Sequence, residues 1–292
     1  MKKSKDQIIF DTVNITLLCI FGLLFVLPFL LVVSSSFTDE MYLNTHGAVL
    51  FPVKFSLEGY KWLFEMSDTF VHSILVTIWY AIMSVGLSII INTLFAFPMT
   101  KANLAGRKFI ATYILIPMLF SGGLIPTYLI IEKFGLLNTL WSAIIPGAFN
   151  TMTIFLLRNY FMAIPPSLTE SATLDGAKNI DVLLKIYLPM SKPVYATILL
   201  QGFVGAWNMW MPCLLYIDSE HANLYTMQYV IRNILADAND LAGQLGLGVS
   251  TGIPTQSLKN ATMVISIIPI IAIYPFLHKY LINGTIVGAV KG

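Results

Sequence analysis

Apolar positions in this chain gather into six long runs, roughly 12–33, 70–97, 109–131, 140–161, 193–217 and 261–282. Polar and charged residues collect between them. A bilayer core is about 30 Å thick, and a helix crossing it takes about 20 mostly apolar residues. The pattern therefore predicts an all-α polytopic membrane protein with six transmembrane helices. A short N-terminus (1–11) precedes a single membrane domain (12–292). Two connecting segments are long, about 34–69 and 218–259, and a third, 165–190, is short and charged. Within 218–259, residues 222–240 read as a helix with Leu224, Met227, Val230, Ile231, Ile234 and Leu235 on one apolar face.

Composition agrees with a lipid setting. Of 292 residues, 57% are hydrophobic and 11% charged, against about 25% charged in a soluble domain. A net charge of +2 is too small to suggest nucleic acid. Lys2, Lys3 and Lys5 precede the first run, but that run is longer than a signal peptide's core and "VVSSSF" is a weak cleavage site, so it reads as a retained anchor. Cys19 and Cys213 both lie inside apolar runs and read as small hydrophobes.

Basic residues accumulate on the cytoplasmic side of membrane proteins. With the N-terminus inside, that side holds Lys2, Lys3, Lys5, Lys101, Arg107, Lys108, Arg158, Lys178, Lys185, Lys192, Lys279 and Lys291. The outside holds Lys54, Lys61, Lys133, Arg232 and Lys259. These twelve and five account for all 17 Lys and Arg. Both termini and the charged segment 165–190 are then cytoplasmic.

The six runs hold almost no ionisable groups; His72 and His278 stand at edges. Coupled ion carriers keep such groups at membrane depth, so an ion-coupled secondary transporter of a small polar solute is the weaker alternative. An integral-membrane enzyme would need a catalytic cluster, and neither a zinc-spaced set nor a Gly-x-Ser-x-Gly elbow occurs. No P-loop occurs either, since the chain has no Gly-Lys dipeptide. Energy for uphill transport would come from another subunit.

Polar residues inside the runs form stripes. Thr77, Tyr80, Ser84, Ser88 and Asn92 share one helical face; Gln201 and Asn208 share another, beside Trp207 and Trp210; Asn150, Thr151 and Thr153 lie in the fourth run. Such stripes serve either helix packing or a polar pathway. Amides for hydroxyls and Trp faces for sugar rings would suit a carbohydrate, with Asn150, Gln201, Trp207, Asn208 and Trp210 as substrate contacts. Eight prolines in or near the runs, among them Pro146, Pro212 and Pro269, predict kinks.

The charged segment breaks the apolar pattern. Pro165-Pro166 ends the fourth run, Ser167 and Glu170 have capping-box spacing, and Asp175-Gly176 is a turn signal. A short helix is expected from Leu168 to that turn. Asp181 would cap a second, "VLLKIYL", closed by Pro189. Helices this short need a surface to lie on.

The spacing Glu170-Ser171-Ala172, Gly176, then Ile186-x-Leu188-Pro189 resembles the cytoplasmic signature of permease subunits of binding-protein-dependent ABC importers. Members usually read Glu-Ala-Ala, so Ser171 is a small-for-small replacement. "TLDGAKN" and "LPMSKP" resemble the carbohydrate-importing version, and the likeness extends through 119–150, 205–217, 225–235 and the tail "HKYLINGTIVGAVKG". The Gly122–Pro126 run resembles a subfamily importing oligosaccharides from alginate- or pectin-type polysaccharides; "GAWNMW" departs from it where members often place His before Trp. The resemblance implies a type I importer permease in a bacterial cytoplasmic membrane, paired with a second homologous permease, two ATPase subunits and an extracytoplasmic solute-binding protein. ATP and Mg would sit on the ATPases, with no cofactor in this chain. Glu170, Ser171, Ala172, Asp175, Gly176, Ala177, Ile186, Leu188 and Pro189 would couple to an ATPase, with Leu168 and Ala172 giving close approach. The tail would reach the ATPase dimer.

Overall fold

A computed structural model describes the backbone of residues 5–65, 68–244 and 255–289, and the side chains of 6–65, 69–236 and 255–275. The tail's predicted ATPase contact and His278 concern side chains outside that description. Helices α1 (Lys5–Ser36), α2 (Glu40–His46), α3 (Glu58–Glu65) and α4 (Asp68–Ala96) come first, followed by a 3-10 turn at Pro98–Thr100. Next are α5 (Arg107–Leu119), α6 (Leu124–Lys133), α7 (Trp141–Ala148) and α8 (Thr151–Met162). The charged segment folds as α9 (Pro166–Leu174), then α10 (Asn179–Val182), which continues through a π turn (Leu183–Tyr187) into α11 (Leu188–Met190). The chain then forms α12 (Lys192–Trp207), α13 (Met211–Tyr216), a 3-10 turn (Ser219–Leu224), α14 (Met227–Gln244) and α15 (Thr255–Ala289). Among the described residues there is no strand, only an isolated bridge between Thr38 and Phe55.

Three segments are long and apolar enough to cross a bilayer: Asp6–Ser36, Thr69–Thr100 and Thr255–Pro275. A fourth is possible if α5 and α6 count as one span, although they bend by 114°. The bend falls where Gly123 adopts φ 88°, a left-handed conformation that a Cβ would strain. The runs at 140–161 and 193–217 are each broken in two. Asn150 leaves helical geometry and its side chain accepts from Thr153 N at 2.9 Å, starting α8 afresh. Asn208 ends α12, donating from its amide to Val204 O at 2.9 Å, and Pro212 opens α13. Hydropathy registers only that these stretches avoid water. Caps inside them satisfy the backbone, so the helix is free to stop.

The chain divides into two compact units, Met1–Phe70 with Ile231–Pro269, and Val71–Val230 with Ile270–Gly292. In the first, the Glu40 carboxylate accepts from Gln256 N (2.9 Å) and Ser257 N (2.8 Å), capping the start of α15. Gly59 lies so near that a Cβ there would sit 2.7 Å from the Ser257 carbonyl. Leu63, Phe70 and Leu258 are buried beside them.

The second unit has two apolar clusters. One gathers Val76, Ala81, Val85, Ile144, Ala206 and Cys213. The other gathers Phe97, Ile114, Ile154, Leu157, Phe161 and Ile198 with Val182, Leu183 and Tyr187 of the charged segment. Where such clusters lie within lipid they hold by van der Waals packing and not by escape from water. Hydrogen bonds fix the register. Thr151 Oγ1 donates to Ile114 O at 3.0 Å, and Thr93 bonds Tyr195 through their hydroxyls at 2.8 Å.

Asn92 is the most connected of these polar residues. Its amide donates to Ser88 Oγ (2.8 Å) and Ala148 O (3.2 Å), and its oxygen accepts from Asn150 N (2.9 Å). It therefore bridges α4 to the break between α7 and α8. Asn92→Leu should keep the volume but orphan both backbone groups, at a cost of about 1–2 kcal/mol. The check is denaturant unfolding in detergent; an unchanged midpoint would refute the bridging role.

Candidate functional site

The charged segment is held on one face and bare on the other. Tyr187 stacks edge-on with Phe97 of the α4 terminus (5.1 Å between centroids) and with Phe161 of α8 (5.3 Å). Its hydroxyl lies 3.4 Å from Thr169 Oγ1, which ties in α9. Val182 and Leu183 are buried in the same cluster, and Ala172, Ala177, Ile186 and Leu188 pack partly against it. Opposite, Leu174 is 89% exposed, with Leu168, Ile180 and Leu184 also exposed.

Local chemistry sets this shape. Pro166 occupies the first turn of α9, where its missing N–H costs nothing. The capping box expected of Ser167 and Glu170 does not form; Pro165 is the cap residue and has no side-chain bond. Gly176, at φ 81°, reverses the chain after α9. Asp181 sits three residues into the next helix, not at its cap. Its carboxylate accepts from Lys178 N (3.3 Å) and pairs with Lys185 (3.1 Å). Pro189 continues the helical stretch, which ends only at Ser191. Between the two short helices lies a cleft of about 430 Å³. Ala172, Asp175, Gly176, Ala177, Asp181 and Ile186 line it, with Val182 and Lys185. Asp175 and Glu170 are exposed and make no ion pair among the described residues.

A second cleft, about 370 Å³, is polar and uncharged. Tyr80, Ser84, Ser88, Asn150, Thr153 and Gln201 line it, and Gly147 and Gly205 open onto it. A Cβ added at either glycine would meet nothing within 4 Å. The stripe on α4 is thus divided by role. Its middle faces the cleft, whereas Thr77 is buried, donating to Ser73 O and accepting from Met227 N (2.8 Å), and Asn92 is the buried bridge.

No family model matches the chain. Curated relatives do. Protein LplC of Bacillus subtilis is 36% identical over 293 aligned positions, spanning 100% of this chain and 98% of that protein. The polygalacturonan/rhamnogalacturonan transport system permease protein YtcP of the same organism is 34% identical, spanning 97% and 99%. In a solved bacterial ABC transporter involved in the import of the acidic polysaccharide alginate, one chain superposes with a TM-score of 0.83 at 31% identity, covering 96% and 99%. This chain belongs to the permease subunits of carbohydrate-type ABC importers. A further chain, from an alginate transporter in complex with a pentasaccharide-bound periplasmic protein, shares the fold at 15% identity and a TM-score of 0.61.

In the permease, Ala172, Asp175, Gly176, Ala177 and Ile186 meet at the cleft of the charged loop. Glu170 and Ser171 are exposed on α9, Leu188 is half-buried on the apolar cluster, and Pro189 is exposed. Ala172 is half-buried between the apolar cluster and the cleft, and the exposed apolar residues of the segment include Leu168, Leu174, Ile180 and Leu184. Sequence reasoning missed Leu174. Its signal was available: the residues three and four before it, Ser171 and Glu170, give it no apolar neighbour on its helix. In the polar cleft, Asn150 and Gln201 meet. Trp207 is instead buried at 1% exposure, Asn208 caps α12, and Trp210 packs against an apolar cluster.

The bond to Lys185, helped by Lys178 N, holds Asp181 below its ordinary carboxylate value. A depressed folded value means the loop's extra order is complete at neutral pH and is lost as pH falls through that value, below the usual carboxylate range. Amide exchange at Lys178 should quicken over that acid window in the wild type and be pH-insensitive there, after correction for intrinsic rates, in Asp181→Asn. Equal behaviour of the two proteins would refute the assignment.

Proposed function

We propose that the permease crosses the membrane six times, with both termini and the charged loop in the cytoplasm. The basic residues flanking its apolar runs support this orientation. It pairs with a second, homologous permease and with two ATPase subunits that carry ATP and Mg. An extracytoplasmic binding protein delivers an oligosaccharide of the acidic-polysaccharide kind named for YtcP and the alginate importer. The permease itself performs no chemistry and needs no cofactor. It converts motion of the ATPases into a change of access at the polar cleft.

One observation carries the reading: the loop is anchored by Tyr187 on one side and presents Leu174 bare on the other. A leucine 89% exposed at a helix end has solvation to gain by entering a partner's cleft. Glu170 and Asp175 flank it without ion partners among the described residues and can meet basic side chains there. Because the loop's other face is locked into α4 and α8, a push on Leu174 is delivered to the spans. The polar cleft offers hydroxyls and amides from Tyr80, Ser84, Ser88, Asn150 and Gln201 to sugar hydroxyls. Its lining carries no carboxylate or cation, the groups an ion-coupled carrier would use.

The test is to express the permease with its neighbouring transporter genes, purify by a tag, and ask whether an ATPase co-purifies and whether binding protein plus oligosaccharide raises ATP turnover. Leu174→Glu should leave the membrane insertion and heat stability intact while weakening ATPase attachment by at least about tenfold, the worth of one buried leucine. Gly205→Phe should leave the complex assembled but cut oligosaccharide uptake, with a monosaccharide less affected, because the added ring projects into open space. Normal transport by Leu174→Glu would refute the docking face, and normal oligosaccharide uptake by Gly205→Phe would refute the pathway.

A further inference from the structure

A third cavity, about 490 Å³, lies where α4 ends, outside both sites described above. Leu94, Phe97 and Leu104 form one side of its lining, and Ile180 and Leu183 of the charged loop form another. Its one charged residue is Lys101, whose Nζ stands 5.2 Å over the Phe97 ring. The amides of Asn103 and Asn179 complete the polar part.

The surroundings are cationic. Between Asp68 and Glu132 the chain has no acidic residue, and its three cations, Lys101, Arg107 and Lys108, fall within eight positions. Among the described residues none of the three forms an ion pair. Asp181, next to Ile180 in the loop, is already held by Lys185 at 3.1 Å. The site also lies at the end of a bilayer-length apolar segment, Thr69–Thr100, with Leu94 of its lining exposed. An apolar slot with a cation at its rim, set at the membrane border, matches an amphiphile with an acyl chain and an anionic head.

We propose that this cavity binds an anionic phospholipid of the phosphatidylglycerol type. An acyl chain lies along Leu94, Phe97 and Leu183, and the phosphate meets Lys101 with help from the Asn103 and Asn179 amides. Lysine serves as a point charge for a phosphate, and its stem reaches up from the apolar wall. Because Ile180 and Leu183 belong to the coupling loop, the lipid becomes part of that loop's seat, and membrane charge would tune coupling. The effect on coupling rests on the role proposed for the loop, whereas lipid binding itself does not.

Lipid binding is read directly on the purified full-length permease in zwitterionic detergent, by titration with fluorescent phosphatidylglycerol and, in parallel, phosphatidylcholine. The wild type should favour phosphatidylglycerol. Lys101→Ala should weaken it about fivefold, the worth of one surface cation toward an anionic lipid. Ile180→Asp, at an exposed position, should weaken it further, while Lys108→Ala, outside the cavity, should change it little. Inorganic phosphate and glycerol 3-phosphate should not displace the lipid. The proposal is overturned if Lys108→Ala matches Lys101→Ala, if the two lipids bind alike, or if soluble phosphate competes. It is equally overturned if Lys101→Ala in the assembled transporter releases the ATPase and leaves the lipid bound. None of these outcomes depends on whether the sugar is imported.

Discussion

Tyr187 is the contact on which the seating of the charged loop depends. Two edge-on aromatic pairs, to Phe97 and Phe161, and a hydroxyl beside Thr169 bring α4, α8, α9 and the π turn to one ring. Each aromatic pair adds about 0.5–1.5 kcal/mol beyond the area it buries. Such a junction is stiff. Without it, α9 would be a nine-residue helix in water, too short to hold its shape. With it, α9 is tied to the end of α4 and to α8 while its other side stays exposed.

The polar interior follows a similar division of labour. Buried polar groups cost free energy unless paired, and Thr77, Asn92 and Thr151 spend their bonds on backbone groups of other helices. They hold the frame in which Ser84, Ser88, Asn150 and Gln201 are free to line a cleft. Asn150 belongs to both sets: its amide nitrogen is held by Asn92, its side chain caps α8, and it reaches the cleft. The break between α7 and α8 is therefore what brings a polar backbone turn to the cleft, as broken helices do where they line cavities.

The sequence carried the class of protein, the charged loop and its fixed Glu-to-Pro spacing, because hydropathy and that spacing are local. Asn150 and Gln201, conspicuous as amides in apolar runs, line one cleft together. What the sequence hid depended on tertiary contacts. Apolarity said nothing of the breaks at Phe149-Asn150 and Asn208–Trp210, where caps compete with helix continuation. The periodic stripe on α4 grouped Thr77 and Asn92 with cleft residues because spacing gives a face, not what covers it. Trp207 looked like a sugar platform and is packed in the core. Ser167 and Glu170 had the spacing of a capping box, but Pro165-Pro166 set the start of the helix two residues earlier.

The central claim is that the bare side of the loop docks on an ATPase subunit while its inner side stays in the bundle. A photo-crosslinking amino acid placed at Leu174, and separately at Tyr187, in the assembled transporter measures this directly. The account predicts a covalent product with the ATPase from position 174 and only internal products from position 187. A position-174 probe that labels lipid or the binding protein and never the ATPase would contradict it.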